Sequence, residues 1–189
     1  MRVAFICWFF MNMSLIILTS CKTHKKKDLE SISQMAFKVE DSLLGLKYSD
    51  SINGFYMRMP KKYSIFELSD EQKNELIKLN IKSVYQARLK SNGSIFIVLN
   101  LNSLNDSLFV DYTNKLQLLT KSTKSNSIDS FYSNNLFIKQ YIVKSDTAVQ
   151  LKVIITNRFK GHYETDFYIP LSSYNLQSST IESVLGSIN

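Results

Sequence analysis

Three segments that are rich in apolar residues follow one another in the last third of the chain, and this arrangement constrains the fold more than any other feature. They read LFIKQYIV, VQLKVIITN and HYETDFYIP, and short turns at Ser145-Asp146 and Lys160-Gly161 separate them. Connections this short join antiparallel neighbours, because parallel strands need a crossover of a dozen or more residues. The sequence therefore predicts an antiparallel meander.

A further pair of strands is predicted on either side of Asn92-Gly93. The segments KSVYQARLK and SIFIVLNLN flank this dipeptide, which tolerates the positive φ of a tight hairpin turn. The second segment has apolar residues on both faces of the predicted strand, so both faces are expected to pack against other elements. We expect it to lie in the centre of its sheet.

Before this hairpin, one more strand and a helix are predicted. The segment GFYMRMP alternates apolar and polar residues and stops at Pro60, as a half-buried strand does. Ser69 and Gln72 then have the spacing of a capping box, which predicts a short helix through Leu79. In the lead-in, the four-residue spacing of Met35, Val39 and Leu43 favours a short helix over residues 32 to 44.

Two later helices are predicted from apolar stripes. The stripe after the hairpin keeps to one helical face and consists of Leu104, Leu108, Tyr112, Leu116 and Leu119. At the end of the chain, Ser179 and Glu182 have capping-box spacing, and an apolar stripe through Ile188 predicts a helix that docks on the sheet. The polar segment KSTKSNSIDS between these helices is interpreted as a break.

The order of these elements predicts an α+β fold, in which an antiparallel β-sheet is flanked by helices. The segments YSDSINGFYMRMPKKY and, at the end, HYETDFYIP to TIESVLGSI resemble the entry and the close of PsbP-like domains. The resemblance covers roughly residues 48 to 189. It implies a single domain with a PsbP-like α/β/α sandwich, a fold used mostly for binding other proteins, and it carries no shared catalytic residue.

The amino terminus has the pattern of a secretory signal. A charged start at Arg2 precedes an apolar run from Val3 to Leu18, which at roughly 16 residues is shorter than the roughly 20 that span a bilayer. The last residues, Leu18 to Cys21, resemble the lipobox of bacterial lipoproteins. That resemblance implies removal of residues 1 to 20 and attachment of lipid, with acyl chains such as palmitate, to Cys21.

The residues that follow Cys21 are strongly basic. Residues 21 to 47 are interpreted as the lipidated amino terminus, a basic tether and a lead-in, and the tether carries Lys22, Lys25, Lys26 and Lys27. Each lysine near an anionic lipid surface is worth about 1 kcal/mol, so contact with the membrane is favoured. A nucleic-acid partner is not expected for an exported chain, although its net charge is +7.

The chemistry of the mature chain is sparse. The chain has two cysteines, of which Cys7 leaves with the signal and Cys21 carries lipid, and its histidines are His24 and His162. We therefore predict neither a metal site, which requires several ligands at defined spacing, nor a cofactor. One polar cluster remains, because His162, Glu164 and Asp166 project from one face of a strand. The trio is interpreted as a solvated outer face, with a cation site or an acid-base pair as the alternatives.

Aromatic residues near the first strand suggest a partner surface. Tyr56 and Tyr63, with Arg58 between them and lysines beside them, are suited to contact a protein, a peptide or a glycan, although such rings more often belong to the core. The favoured hypothesis is a non-enzymatic, membrane-anchored lipoprotein of the bacterial envelope that binds or scaffolds an envelope protein. Its expected location is the outer membrane, facing the periplasm. The alternatives are an envelope hydrolase or glycan-processing enzyme, and a toxin-neutralising lipoprotein.

Overall fold

A computed structural model describes residues 33–121, 126–157 and 161–189, all within one compact unit that runs from Ser33 to Asn189. The predicted signal peptide, Cys21 and the basic tether lie outside the described residues. No described helix combines the length and the apolar character needed to span a membrane. The α-helices of the described residues are α1 (Asp70–Lys78), α2 (Asp106–Lys121) and α3 (Tyr174–Gly186), and two 3-10 helices lie at Asp41–Leu43 and Leu171–Ser173. The strands are β1 (Leu44–Asp50), β2 (Phe55–Pro60), β3 (Ser64–Ile65), β4 (Lys82–Arg88), β5 (Ile95–Asn100), β6 (Ser127–Ser133), β7 (Leu136–Lys144), β8 (Ala148–Thr156) and β9 (His162–Pro170).

Seven of the strands in the described residues form one antiparallel sheet in the order β3-β4-β5-β9-β8-β7-β6, and β1 pairs with β2 in a separate hairpin. The predicted meander is confirmed as β7, β8 and β9, and the hairpin at Asn92-Gly93 as β4 and β5. Gly93 has a φ of 78°, which a glycine adopts without strain. The predicted α+β fold, with an antiparallel sheet flanked by helices, is confirmed.

The main core lies between one face of the sheet and a layer made of α3 and the β1–β2 hairpin. Phe55, on the buried face of β2, stacks on Tyr163 of β9 with ring centroids 3.7 Å apart. Phe96 of β5 stacks in the same way on Phe167, at 4.5 Å. The alternation predicted for GFYMRMP is confirmed, since Phe55, Met57 and Met59 are all buried in this core.

The opposite face of the sheet carries a second, smaller core beneath α1 and α2. Its buried members include Ile81, Leu99, Leu116 and Ile154. Because β5 contributes Leu99 here and Phe96 to the main core, its two faces are both covered, and its predicted central position is confirmed. The Ser69 capping box is also confirmed, with the Gln72 N–H donating to Ser69 Oγ and the Ser69 N–H to Gln72 Oε1.

The helix predicted over residues 32 to 44 is wrong for most of its length: residues 33 to 40 are not helical, and Asp41–Leu43 form a single 3-10 turn. The Met35 N–H donates to the Tyr132 carbonyl at 2.8 Å, so this segment lies along the edge strand β6. Farther along, the Lys38 and Glu40 N–H groups donate to side-chain oxygens of α3, at 2.9 Å each. The backbone donors that a helix would use internally are thus taken by neighbouring elements.

Two boundaries near the polar segments also differ from the prediction. Strand β6 begins at Ser127, within the segment interpreted as a break, and its polar side chains are tolerated because it lies at the sheet edge. Helix α3 begins at Tyr174, so Ser179 lies inside the helix and is not its cap. Glu182 Oε1 accepts instead from the Lys38 N–H, whereas the predicted stripe of Ile181, Val184, Leu185 and Ile188 is buried against the sheet.

Candidate functional site

The three polar residues predicted on β9 do lie on one face of the strand, but that face is not solvated. Helix α2 covers it, Glu164 is fully buried, and only 15% of the Asp166 side chain is exposed. The interpretation as a solvated outer face is therefore wrong. Alternation along a strand assigns side chains to faces, yet it does not reveal whether another element covers the face.

Glu164 and Asp166 converge on one lysine. Lys152, on the neighbouring strand β8, places its Nζ 2.7 Å from Glu164 Oε1 and 2.7 Å from Asp166 Oδ2. Gln150, two residues earlier on the same face, donates from Nε2 to both Asp166 oxygens, at 2.9 and 3.2 Å. Two carboxylates thus share a single ammonium in the centre of the sheet.

Helix α2 closes this network from above. The Tyr112 hydroxyl donates to Glu164 Oε2 at 2.6 Å, so both oxygens of the buried carboxylate have a partner. This bond joins the helix to the sheet. We call Tyr112, Lys152, Glu164 and Asp166 the carboxylate–lysine network.

The network shifts the protonation of its members. Burial raises the pKa of Glu164, although the Lys152 ammonium opposes that shift. Burial alone would lower the pKa of Lys152, but the two carboxylates outweigh it and raise that pKa above its ordinary value. Burial and the Glu164 charge together raise the pKa of Tyr112. Lysine and tyrosine therefore both keep their protons at neutral pH and act as donors to the carboxylates.

His162 does not join the network. Its ring stacks on Phe109 of α2, with centroids 3.8 Å apart and planes 17° apart, and its Nδ1 lies 3.1 Å from Thr156 Oγ1. Burial lowers the pKa of His162 below its ordinary value of 6.5. The position between the two carboxylates is filled by the Lys152 ammonium, and the described residues contain no group of three or more histidine, cysteine or acidic side chains that would hold a metal ion.

An apolar groove opens between the end of α1 and the outer side of α2. It has a volume of about 380 Å³, and the buried side chains of Ile81, Leu104 and Leu116 line its inner part. Toward the solvent, Leu108 and Leu119 are 49% and 65% exposed. We call it the α1–α2 groove. The apolar stripe predicted for this helix is thus only partly covered by the sheet.

Tyr112 connects the groove to the network, because its side chain lines the groove while its hydroxyl reaches Glu164. Sequence reasoning missed both Tyr112 and Lys152 as partners of the acidic pair. Lys152 could have been found from the sequence, because it interrupts an otherwise apolar strand. In a meander that strand lies beside β9, and its polar residues share a face with the acidic residues of β9. No feature of the sequence indicated Tyr112, since its contact with Glu164 joins a helix and a strand 52 residues apart.

The predicted partner residues Tyr56, Arg58 and Tyr63 do not line one cavity. Lys47 Nζ lies 4.5 Å from the Tyr56 ring centroid, and Arg58 forms an ion pair with Asp41. Tyr63 packs on the main core, its hydroxyl donates to Gln177 Oε1 at 3.2 Å, and burial raises its pKa to about 12. Tyr56 and Tyr63 border different cavities.

Comparison with protein-family models and with curated proteins gives no match. Among solved structures, the chain is similar to the solution structure of cyanobacterial PsbP (CyanoP) from Synechocystis sp. PCC 6803. The two share 13% sequence identity over 78% of this chain and 92% of that chain, with a TM-score of 0.45. This likeness concerns the fold alone.

Proposed function

We propose that the chain is a lipid-anchored, non-enzymatic protein of the bacterial cell envelope that binds another protein in the α1–α2 groove. The observation that carries the proposal is the groove itself, where aliphatic side chains stay exposed between two helices while their neighbours Ile81 and Leu116 are buried. Exposed apolar surface that forms a groove typically marks a site of interaction. The occupant we propose is an amphipathic helix of the partner protein.

The shape of the groove supports a helical occupant. Its wall along α2 extends from Leu108 to Leu119, which at a rise of 1.5 Å per residue corresponds to roughly 16 Å, or about three helical turns. A helix of that length fills such a groove with apolar residues spaced three and four apart. Lys78 and Lys115 lie at its border with Asp111, so we expect mixed charges on the flanks of the partner helix.

The state of the buried carboxylates supports a non-enzymatic role. Glu164, the carboxylate that Tyr112 links to the groove, is fully buried, and both of its oxygens are bonded to donors. A general acid or base needs a proton path to substrate within hydrogen-bond reach. The Glu164 carboxylate makes its hydrogen bonds inside the protein, and these bonds hold α2 on the sheet.

The anchor rests on the resemblance of Leu18 to Cys21 to a lipobox. Each buried methylene contributes about 0.8 kcal/mol, so two or three acyl chains retain a protein on a membrane. The basic tether after Cys21 adds electrostatic attraction to anionic lipid. We expect the outer membrane, with the folded unit facing the periplasm.

Site-specific photo-crosslinking in living cells tests the binding role. A photoreactive phenylalanine is placed at Leu108, which lines the groove, and as the matched control at Leu118, which is 71% exposed on the same helix but outside the groove. The proposal expects one discrete protein adduct from position 108 and none from position 118. Equal adducts at both positions, or none at 108, would overturn it.

A further inference from the structure

A second concave surface lies on the other side of the sheet, beside the main core. Tyr63 separates two clefts, one of about 550 Å³ bordered by β1, β2 and β3, and one of about 130 Å³ bordered by α3. Pro60 also borders both clefts. We call these clefts and their borders the Tyr63 surface. The α1–α2 groove belongs to the opposite face of the sheet, so the two surfaces are separate.

The Tyr63 surface exposes large aliphatic side chains. Leu46 and Ile65 border the larger cleft and are 72% and 68% exposed, and Leu176 borders the smaller one at 78%. Each of these side chains reaches solvent beside a concavity that has room for a side chain of another molecule. Their arrangement around Tyr63 favours an apolar contact at two neighbouring points.

The charge of the Tyr63 surface has one sign. Lys61 borders the larger cleft and Lys62 the smaller one, and none of the described residues that line either cleft is acidic. Neither ammonium forms an ion pair within the part of the chain that the structure describes. The α1–α2 groove differs in this respect, because Asp111 lies among its lysines. The Tyr63 surface therefore complements a negatively charged ligand.

The backbone at this surface is suited to an extended chain. Strand β3 is the terminal strand of the seven-stranded sheet and, among the residues that the structure describes, pairs only with β4. Its residue Ile65 lines the larger cleft. An extended peptide that lies along such an edge forms main-chain hydrogen bonds and directs alternate side chains into neighbouring pockets.

We infer that the Tyr63 surface binds an extended, acidic segment of a partner protein, with apolar side chains in the two clefts and carboxylates near Lys61 and Lys62. Concave clefts fit side chains of a peptide better than they fit the plane of a bilayer, which is why a membrane is not the occupant proposed here. Together with the α1–α2 groove, this second site makes the protein an adaptor with two docking surfaces of different chemistry.

The test is selection from a display library of random linear peptides, with the full-length protein in detergent. We expect enriched sequences that combine acidic and apolar residues. We expect the double variant Lys61→Glu/Lys62→Glu to bind them about tenfold more weakly, because it replaces two exposed ion pairs with like-charge repulsion. The matched control is Lys82→Glu/Lys144→Glu, which changes the net charge equally at exposed lysines outside both clefts and is expected to bind them as the wild type does.

Two outcomes would overturn the inference. The first is the selection of basic sequences, or of no sequence at all, and the second is equal weakening of peptide binding by the two double variants. The inference is independent of the α1–α2 groove. A Leu108→Glu variant, which changes that groove, is expected to bind the selected peptides as tightly as the wild type does. Binding at either surface can therefore be tested even if the other surface binds nothing.

Discussion

The replacement Tyr112→Phe removes one hydroxyl that joins α2 to the sheet, and we expect it to cost about 2 kcal/mol of unfolding free energy. The bond to Glu164 is 2.6 Å long, and its acceptor is the carboxylate of a fully buried residue. Hydrogen bonds to charged groups contribute about 1.5 to 3 kcal/mol. In a domain of this size each kcal/mol lowers the melting temperature by about 2 to 4 °C, so the expected decrease is about 4 to 8 °C.

The loss in Tyr112→Phe is expected to grow with pH. Burial raises the pKa of Glu164 in the folded protein, so the stability that this group contributes is complete below its ordinary value of 4.5 and is lost as the pH rises through the folded-state pKa. The Tyr112 hydrogen bond lowers that pKa and thereby reduces the loss. Without the bond, the carboxylate is more costly to ionise. The variant should therefore be closest to the wild type in acid.

Urea unfolding followed by circular dichroism at several pH values measures both effects. The matched control is Tyr132→Phe, a tyrosine on the edge strand β6 that is 37% exposed, and we expect it to change the free energy of unfolding by less than about 0.5 kcal/mol. The reasoning is refuted if Tyr112→Phe costs no more than the control, or if its cost is independent of pH between about 4 and 8.

Three further substitutions test the packing. Lys152→Met leaves the buried Glu164 without its cation and should cost about 3 to 5 kcal/mol in urea unfolding, with partial recovery in acid; a neutral or stabilising effect at pH 7 would argue against the network. Phe55→Ala removes a fully buried, stacked ring and should cost about 3 to 5 kcal/mol, whereas a loss below 1 would mean that the hairpin is not part of the core. Ser69→Ala removes the cap of α1 and should cost about 1 kcal/mol, and an unchanged midpoint would contradict the capping box.

Strands of the sheet were predictable where their residues alternate or where a turn dipeptide joins them. The meander and the Asn92-Gly93 hairpin belong to this group, because period and turn chemistry are both local properties. Strand β6 was not predictable in this way. It lies at the sheet edge, where a strand needs only one apolar face and one partner, and its side chains Asp129 and Ser130 are exposed.

Helix boundaries depended on contacts that are distant in sequence. The spacing of Met35, Val39 and Leu43 is helical, yet the backbone of this segment bonds to β6 and α3. In α3, the residue Gln177 in the first turns is buried and accepts from Tyr63. In the sequence, a polar residue such as this glutamine is typical of a loop. The predicted start of the helix was therefore too far along the chain.

The candidate site was predictable in part. Alternation along β9 placed Glu164 and Asp166 together, and a lysine in an apolar strand beside them is visible in the sequence. The packing of α2 over these residues was not predictable, because the apolar stripe of a helix does not identify the face of the sheet on which the helix packs. For the same reason, the exposed outer edge of that stripe, which forms the α1–α2 groove, emerged only from the structure.

Intact-mass spectrometry of the protein extracted from membranes tests the central claim most directly, since every binding role proposed above depends on a folded unit tethered outside the cytoplasm. We predict a polypeptide that begins at Cys21 and carries the additional mass of a diacylglyceryl group and an amino-terminal acyl chain. A chain that retains residues 1 to 20, or one that begins elsewhere with an unmodified thiol, would contradict the account.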